Sequence, residues 1–163
     1  NLKFGDDPVA TPVIDLLLGT TSGSLGETSA LLILLGGIYL ALRGHLNWHI
    51  PLSILTTTFA VSGLFYVAGV SDFPPLFMLF SGGLMLGAFY MATDMVTSPV
   101  SNKGCWIFGF GIGFLTVIIR IWGGLPEGVM YAILLMNALV PFINRATQPR
   151  KFGSTRRAAE TEE

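Results

Sequence analysis

Five apolar runs alternate with short polar breaks along the chain. The first covers about residues 25–42. Ser24-Leu-Gly-Glu27 opens it and fits a capping box, with Ser24 as N-cap and Glu27 reaching back from N3. Arg43-Gly-His-Leu-Asn closes it. The second run spans about residues 48–70, with Trp48 placed as an interfacial anchor, and Ser71-Asp-Phe-Pro-Pro75 ends it. The third covers about residues 76–93, where Gly83 and Gly87 stand four apart and share a face that admits a neighbouring backbone. After a polar connection over residues 94–102, Asn102 reads as the cap of a fourth run, residues 103–120. Gly109, Gly111 and Gly113 give that run another close-packing face. Trp122-Gly-Gly-Leu-Pro-Glu is the next break, and Pro126 suits the first turn of a fifth helix over residues 127–142. Ahead of all five, residues 1–26 are polar or mixed, and residues 12–19 read as a short amphipathic turn or helix at an interface.

Spanning a bilayer takes about 20 apolar residues, and several of these runs are shorter. They are expected to be tilted, broken or partly re-entrant, shielded by neighbours as irregular membrane backbone must be. Composition points the same way. Of 163 residues, 52% are hydrophobic and 12% charged, against about 25% charged in soluble domains. The fold class that follows is all-α integral membrane, with about five transmembrane helices, some short or broken. Three regions result: an outer loop and interfacial turn (1–24), a five-helix membrane domain (25–143) and a basic tail (144–163). The opening segment is polar and acidic and does not resemble a cleavable signal peptide. The bilayer is the obvious partner, and nothing in the charge pattern suggests nucleic acid.

The small net charge of −1 hides an asymmetry. With five crossings, the first and third loops and the C-terminal tail share a side. That side holds Arg43, Lys103, Arg145, Arg150, Lys151, Arg156 and Arg157, while Lys3 and Arg120 fall opposite with Asp6, Asp7, Asp15, Glu27, Asp72 and Glu127. The positive-inside rule places the tail in the cytoplasm and the N-terminal segment outside.

Carboxylates in a membrane are costly and mark function or a specific structural need. Glu27 and Glu127 fall in first helical turns, where the dipole suits them; ion handling and simple capping both fit. Arg120 ends the fourth helix, where a cation suits the dipole, and is within reach of Glu127 across the Trp-Gly-Gly turn. Asp94 is different, since the C-terminal end of its own helix disfavours it. It is a candidate for ion passage or for flavin or quinone contact, with solvation in the loop or capping of a turn through Thr97 as the plain alternatives. His45 and His49, beside Arg43 and Trp48, read as interfacial anchors. The hydroxyls of Thr56-Thr-Thr58 read as bonding back to helix carbonyls, with a polar path as the second reading. The single cysteine, Cys105, excludes an internal disulfide. There is no phosphate-binding glycine loop, catalytic triad or cysteine cluster, so no metal site is expected and no residue is assigned as catalytic.

Four stretches together carry a family resemblance: Ala10-Thr-Pro-Val-Ile-Asp-Leu-Leu-Leu-Gly19; Gly23-Ser-Leu-Gly-Glu-Thr-Ser29; Ser81-Gly-Gly through Met91-Ala-Thr-Asp94 with Thr97-Ser-Pro99; and Leu125-Pro-Glu-Gly128 with Met136-Asn-Ala-Leu139. In this order they resemble the D subunit of Rnf-type ion-translocating electron-transport complexes and the related B subunit of the sodium-pumping NADH:quinone reductase. Leu125-Pro-Glu-Gly and Thr-Ser-Pro are closer to the Rnf protein, and Asn102-Lys-Gly104 leans toward the other.

The resemblance implies ten helices in two inverted five-helix halves, similar to urea transporters, with this chain as the second half. It also implies FMN joined by a phosphoester to a threonine in an outward-facing loop, and leaves room for a second, noncovalent flavin. The matching threonine is Thr11, although Pro8 and Val9 stand where serine and glycine are usual and Asp6 is one place closer than the usual aspartate. The implied role is an electron relay in the bacterial or archaeal cytoplasmic membrane. Other membrane and flavoprotein subunits would be its partners, the reaction would be of ferredoxin:NAD+ type (NADH:quinone type second), and Na+ or H+ movement would involve Asp94, Glu27 or Glu127. A passive small-solute channel and a flavin-less scaffold are the rival readings.

Overall fold

The computed structural model describes residues 29–71, 73–123 and 128–147, and among these every regular element is helical. The helices are α1 (Ala30–Leu42), α2 (His49–Val67), α3 (Pro75–Phe80), α4 (Leu84–Leu86, running into a π-helical turn at Gly87–Met91), α5 (Asn102–Trp122) and α6 (Val129–Thr147). Among them, α2, α5 and α6 are long and apolar enough to cross a membrane. At 1.5 Å per residue α1 is about 20 Å long, short of the roughly 30 Å hydrocarbon core. The five apolar runs thus become three full spans, one short helix and one broken segment, as an all-α membrane fold with short and discontinuous members requires.

Local chemistry sets the ends. Ser29 caps α1, accepting from the Leu32 amide at 3.4 Å. The described helix therefore starts at Ala30, while Ser24 and Glu27 of the expected capping box lie outside the described residues. Two helices close in the same way. Gly44 (φ 71°) follows α1 and Gly69 (φ 70°) follows α2. Each is bracketed by paired bonds, His45 N–H to Leu40 O with Gly44 N–H to Ala41 O, and Val70 N–H to Phe65 O with Gly69 N–H to Tyr66 O. This is the Schellman closure, which needs a left-handed residue that glycine adopts without strain. It stops α2 at Val67, three residues before the expected end.

Further corrections concern the later runs. The third is not one helix: it breaks at Ser81–Gly83, where Gly82 takes φ 65°. Gly83 caps α4 at the break, and it is Gly87 that meets a neighbour, Val129 of α6. The cap of α5 is Ser101, whose hydroxyl accepts from Gly104 N–H at 3.0 Å, so Asn102 is its first residue. The last helix runs on to Thr147 through Pro141. Proline cannot donate to the Asn137 carbonyl, yet the segment beyond is anchored: Asn144 Oδ1 accepts from Val100 N–H at 3.2 Å, and Ser101 Oγ donates to Thr147 Oγ1 at 2.7 Å.

The elements alternate in direction. Asn47 lies against Cys105, and Ser53 and Thr57 against Gly109 and Gly113, so α2 and α5 are parallel. The broken segment runs the other way between them, with Pro75 beside Gly63, and α6 returns antiparallel to α5. Parallel α2 and α5 require one reverse crossing between them, which the α3–α4 segment supplies. Arg43, Lys103 and Arg145 consequently fall at one end of the bundle, hereafter the basic end.

The α2/α5 contact is the tightest. A methyl on Gly109 would sit 2.6 Å from Ser53 Cβ and 2.9 Å from the Ile50 carbonyl; one on Gly113 would sit 2.9 Å from both Thr57 Cβ and the Ile54 carbonyl. Gly-x-x-x-Gly faces Ser-x-x-x-Thr, the small-residue pairing that lets membrane helices pack backbone to backbone. Gly111 does not share that face, and meets Met136 of α6. The core between α2, α4, α5 and α6 is filled by Ile50, Ile54, Leu84, Phe108, Ile112 and Val129 among others.

Candidate functional site

The break in the third segment is where the described part of the molecule concentrates its membrane polarity. Pro75 starts α3 without losing a hydrogen bond, because first-turn amides are unpaired in any case. Six residues later the chain turns extended at Ser81 (ψ 135°) and left-handed at Gly82. Such a break leaves C-terminal carbonyls without intrahelical donors, which hydrocarbon punishes. Arg120 answers it. Its guanidinium, only 4% exposed, donates through Nη1 to the Met78 carbonyl and through Nη2 to the Ser81 carbonyl at 2.9 Å. A cation at the C-terminal end of α3 also suits that helix's dipole. Sequence reasoning gives Arg120 the end of its own helix; the structure adds the end of another. The signal available in the sequence is Pro74-Pro75 followed by Ser81-Gly-Gly, a segment too short to span and in need of a donor. Glu127, its expected partner, lies outside the described residues.

Around this level the buried hydroxyls gather on α2 and α5: Thr58 and Ser62 on one, Thr116 on the other. Ser62 bonds the Phe59 carbonyl and Thr116 the Ile112 carbonyl, as the back-bonding reading expects. In the threonine triplet, Thr56 bonds the Leu52 carbonyl at 2.7 Å. Among the described residues, the fully buried Thr58 hydroxyl finds no partner, nor does Asn137 Oδ1 on α6.

Past the break, the π-helical turn is closed by Ala92 N–H to the Gly87 carbonyl at 2.8 Å. The turn sets Phe89 against Gly37 and Tyr90 against Gly36 of α1, with the Tyr90 hydroxyl donating to the Ile33 carbonyl at 3.3 Å. The turn ends at Asp94, which is exposed. Its carboxylate accepts from Val96 N–H at 3.5 Å and Thr97 Oγ1 at 3.4 Å, and its carbonyl from Ser98 N–H at 3.1 Å. Asp94 therefore organises its own loop at the basic end. Gly128, the first described residue after the last break, packs on Ile119 toward the opposite end. Thr11 and Glu27, the other candidate residues, lie outside the described residues. His49 stacks on Trp48 (centroids 4.1 Å apart), meets Trp106 edge-on at 6.2 Å and pairs through Nδ1 with Asn47 Oδ1 at 2.7 Å. His45 is exposed at the same end. Both lie at a helix end, as expected of interfacial anchors.

Residues 2–153 match the model of the NQR2, RnfD, RnfE family. The chain is 50% identical over 145 residues to the D subunit of the proton-translocating ferredoxin:NAD(+) oxidoreductase complex of Clostridium ljungdahlii, covering 86% of this chain and 43% of that protein. It is 48% identical to the D subunit of the ion-translocating oxidoreductase complex of Stutzerimonas stutzeri, over 89% of this chain and 41% of that one. To the D subunit of the Na(+)-translocating ferredoxin:NAD(+) oxidoreductase complex of Acetobacterium woodii it is 44% identical, over 95% and 48%. The chain thus spans less than half the length of these curated relatives. A match over nearly the whole sequence, on a bundle of alternating short, broken and full-length helices, makes this chain a multi-pass membrane member of the NQR2, RnfD, RnfE family.

Proposed function

We propose that this chain is the second half of the D subunit in an Rnf-type complex that couples electron transfer from ferredoxin to NAD+ to the movement of Na+ or H+ across the cytoplasmic membrane. The observation that carries this reading is the 44–50% identity, over 86–95% of this chain, to proteins so named in three bacteria. The basic end faces the cytoplasm on the positive-inside argument, which puts Thr11 outside. FMN on the Thr11 hydroxyl rests on the Ala10-Thr-Pro12 match. Such a flavin would supply the redox chemistry, and this chain its placement. The protein's own share is mechanical and electrostatic: Arg120 holds the discontinuous segment open, and the π-helical turn carries Asp94 to the membrane surface. Asp94, Glu27 and Glu127 are the carboxylates assigned to the moving ion.

Inverted vesicles from cells with and without the full-length gene test the assignment. Vesicles holding the intact complex are expected to reduce NAD+ from reduced ferredoxin while accumulating the ion. The Asp94→Asn form, near-isosteric and at an exposed site, should assemble normally and transfer electrons with poorer ion uptake. Ferredoxin-independent NADH oxidation by quinone would move the assignment to the other branch of the family, and normal uptake in the Asn form would return Asp94 to plain loop closure.

A further inference from the structure

Beside the α2/α5 seam lies a groove of about 420 Å3, lined by Ser53, Thr56, Thr57, Trp106, Ile107 and Phe110. Its volume falls within the roughly 300–1,000 Å3 of ligand clefts. Half of these residues carry hydroxyls, yet the groove surface is nearly all carbon. The backbone explains this. Ser53 Oγ donates to the Trp106 carbonyl at 2.9 Å and Thr56 Oγ1 to the Leu52 carbonyl at 2.7 Å, so two of the three hydroxyls are turned to backbone carbonyls and the groove is left mostly carbon. What fits is a hydrocarbon chain, not an ion or a sugar.

The ends of the groove differ. Lys103, Trp106, Ile107 and Phe110 fall at i, i+3, i+4 and i+7 on one face of α5, and His49, Ser53, Thr56 and Thr57 follow a similar spacing on α2. The two rows run from the Trp48–His49–Trp106 ring cluster at the basic end toward Phe110, one turn further along α5 and exposed. Lys103 is exposed one turn beyond Trp106, toward that end. Among the described residues this end carries Arg43, Lys103 and Arg145 against Asp94 alone. A chain lying in the groove would bring its headgroup to a cationic rim flanked by aromatic rings, the placement such side chains favour at a membrane surface.

We propose that the groove binds one acyl chain of an anionic phospholipid, with the phosphate met by Lys103 and the ester region by the His49–Trp106 pair. A neutral isoprenoid tail would fill the same apolar space but make no use of the charge. This site does not depend on the flavin.

The test uses the full-length chain in its complex, stripped of lipid in mild detergent. Phosphatidylglycerol and phosphatidylcholine with the same acyl chains are then added, with native mass spectrometry and thermal unfolding as readouts. Phosphatidylglycerol should be retained as a discrete adduct and raise the unfolding temperature more than phosphatidylcholine. Lys103→Gln should weaken phosphatidylglycerol binding about fivefold, the equivalent of about 1 kcal/mol for one basic side chain near the surface, and leave phosphatidylcholine unchanged. Thr56→Phe, which grows into the groove from an exposed position, should abolish the adduct while keeping the lipid-free unfolding temperature. Should that variant melt early, Phe110→Ala removes a wall without adding bulk and should weaken both lipids. Equal response to the two lipids would overturn the proposal, as would an adduct that survives filling of the groove. Displacement by a neutral quinone would do the same, and so would photocrosslinking from position 110 to another polypeptide in place of lipid.

Discussion

Arg120 on α5 donates to the Ser81 carbonyl, 2.9 Å away, and so ties a full-length helix to the point where the neighbouring segment stops being one. The same guanidinium takes the Met78 carbonyl, one turn earlier. One side chain thereby serves the end of a helix it does not belong to.

Removing that side chain should be costly. Arg120→Met keeps the stem and leaves the buried Met78 carbonyl and the partly buried Ser81 carbonyl without these donors, at about 1–3 kcal/mol for a buried unsatisfied group and less for a partly solvated one. A loss of about 1–4 kcal/mol, seen as early thermal unfolding of the detergent-solubilised protein, is expected on the same scale. Arg120→Lys, which can reach one carbonyl but not fork between two, should fall between. A methionine variant as stable as wild type would mean that water or the rest of the protein satisfies the break.

Two glycines give opposite expectations. Gly109→Ala drives a methyl to 2.6 Å from Ser53 Cβ and 2.9 Å from the Ile50 carbonyl, so α2 and α5 must part. Overpacking of this kind costs about 1–3 kcal/mol. At Gly63 the same methyl meets only Pro75 Cγ at 3.7 Å, ordinary contact. There the better helix propensity of alanine should stabilise by up to about 1 kcal/mol. Thermal unfolding of the two variants side by side reads the difference in sign; a Gly109→Ala protein as stable as wild type would show that the α2/α5 seam can part without cost.

Much of the architecture is visible in periodicity. Polar punctuation at Arg43-Gly44 and Ser71 to Pro75 marks the breaks to within a few residues, because glycine and proline act locally, although Gly69 already closes α2 at Val67. The break at Ser81–Gly83 shows in the sequence only as the Ser-Gly-Gly triplet, since the rest of residues 76–91 is almost entirely apolar, and hydropathy averaged over the run cannot tell a broken helix from a whole one. The fifth run misleads the other way. Its apolar stretch suggests an end at residue 142, ahead of the basic tail, but Asn144 and Thr147 are pinned by Val100 and Ser101, contacts between residues 44 and 46 apart in sequence. Asp94 stands out in the sequence because its helix dipole disfavours it. In the structure that strain is eased locally, as the helix has already widened into a π-turn and the carboxylate closes a loop of its own. The candidate threonine for flavin attachment, Thr11, stands out only through the family resemblance, since no rule of spacing distinguishes it from Thr20 or Thr21.

Sidedness can be checked directly. Helix directions place Arg43, Lys103 and Arg145 together, and the positive-inside rule turns that end to the cytoplasm. With Cys105 replaced by serine, single cysteines at Ser154 and Thr20 should label differently in intact cells: position 20 from outside, position 154 only after permeabilisation. Outside labelling of position 154 would reverse both the topology and the side given to the flavin.

The flavin prediction follows from that sidedness. Thr11 belongs to a glycine- and proline-rich stretch that the five-span reading expects opposite the basic end, where a modifying enzyme could reach a threonine hydroxyl. It is the sole threonine in an Ala-Thr-Pro setting, and the apolar residues 13–18 that follow are expected to dock the loop at the membrane surface. A phosphoester through the threonine oxygen leaves the isoalloxazine ring free to lie over the helix ends, where Trp122 is exposed. Thr11→Val keeps the shape of the side chain and removes the oxygen that forms the ester, so covalent flavin should vanish from a subunit that still folds and assembles. In-gel fluorescence after denaturation reads the first, and mass analysis of the peptide containing Thr11 reads the attachment. Wild-type peptide without the added FMN mass would mean that proline and valine at positions 8 and 9 block modification. Fluorescence that survives in the valine variant would move the ester to Thr20 or Thr21.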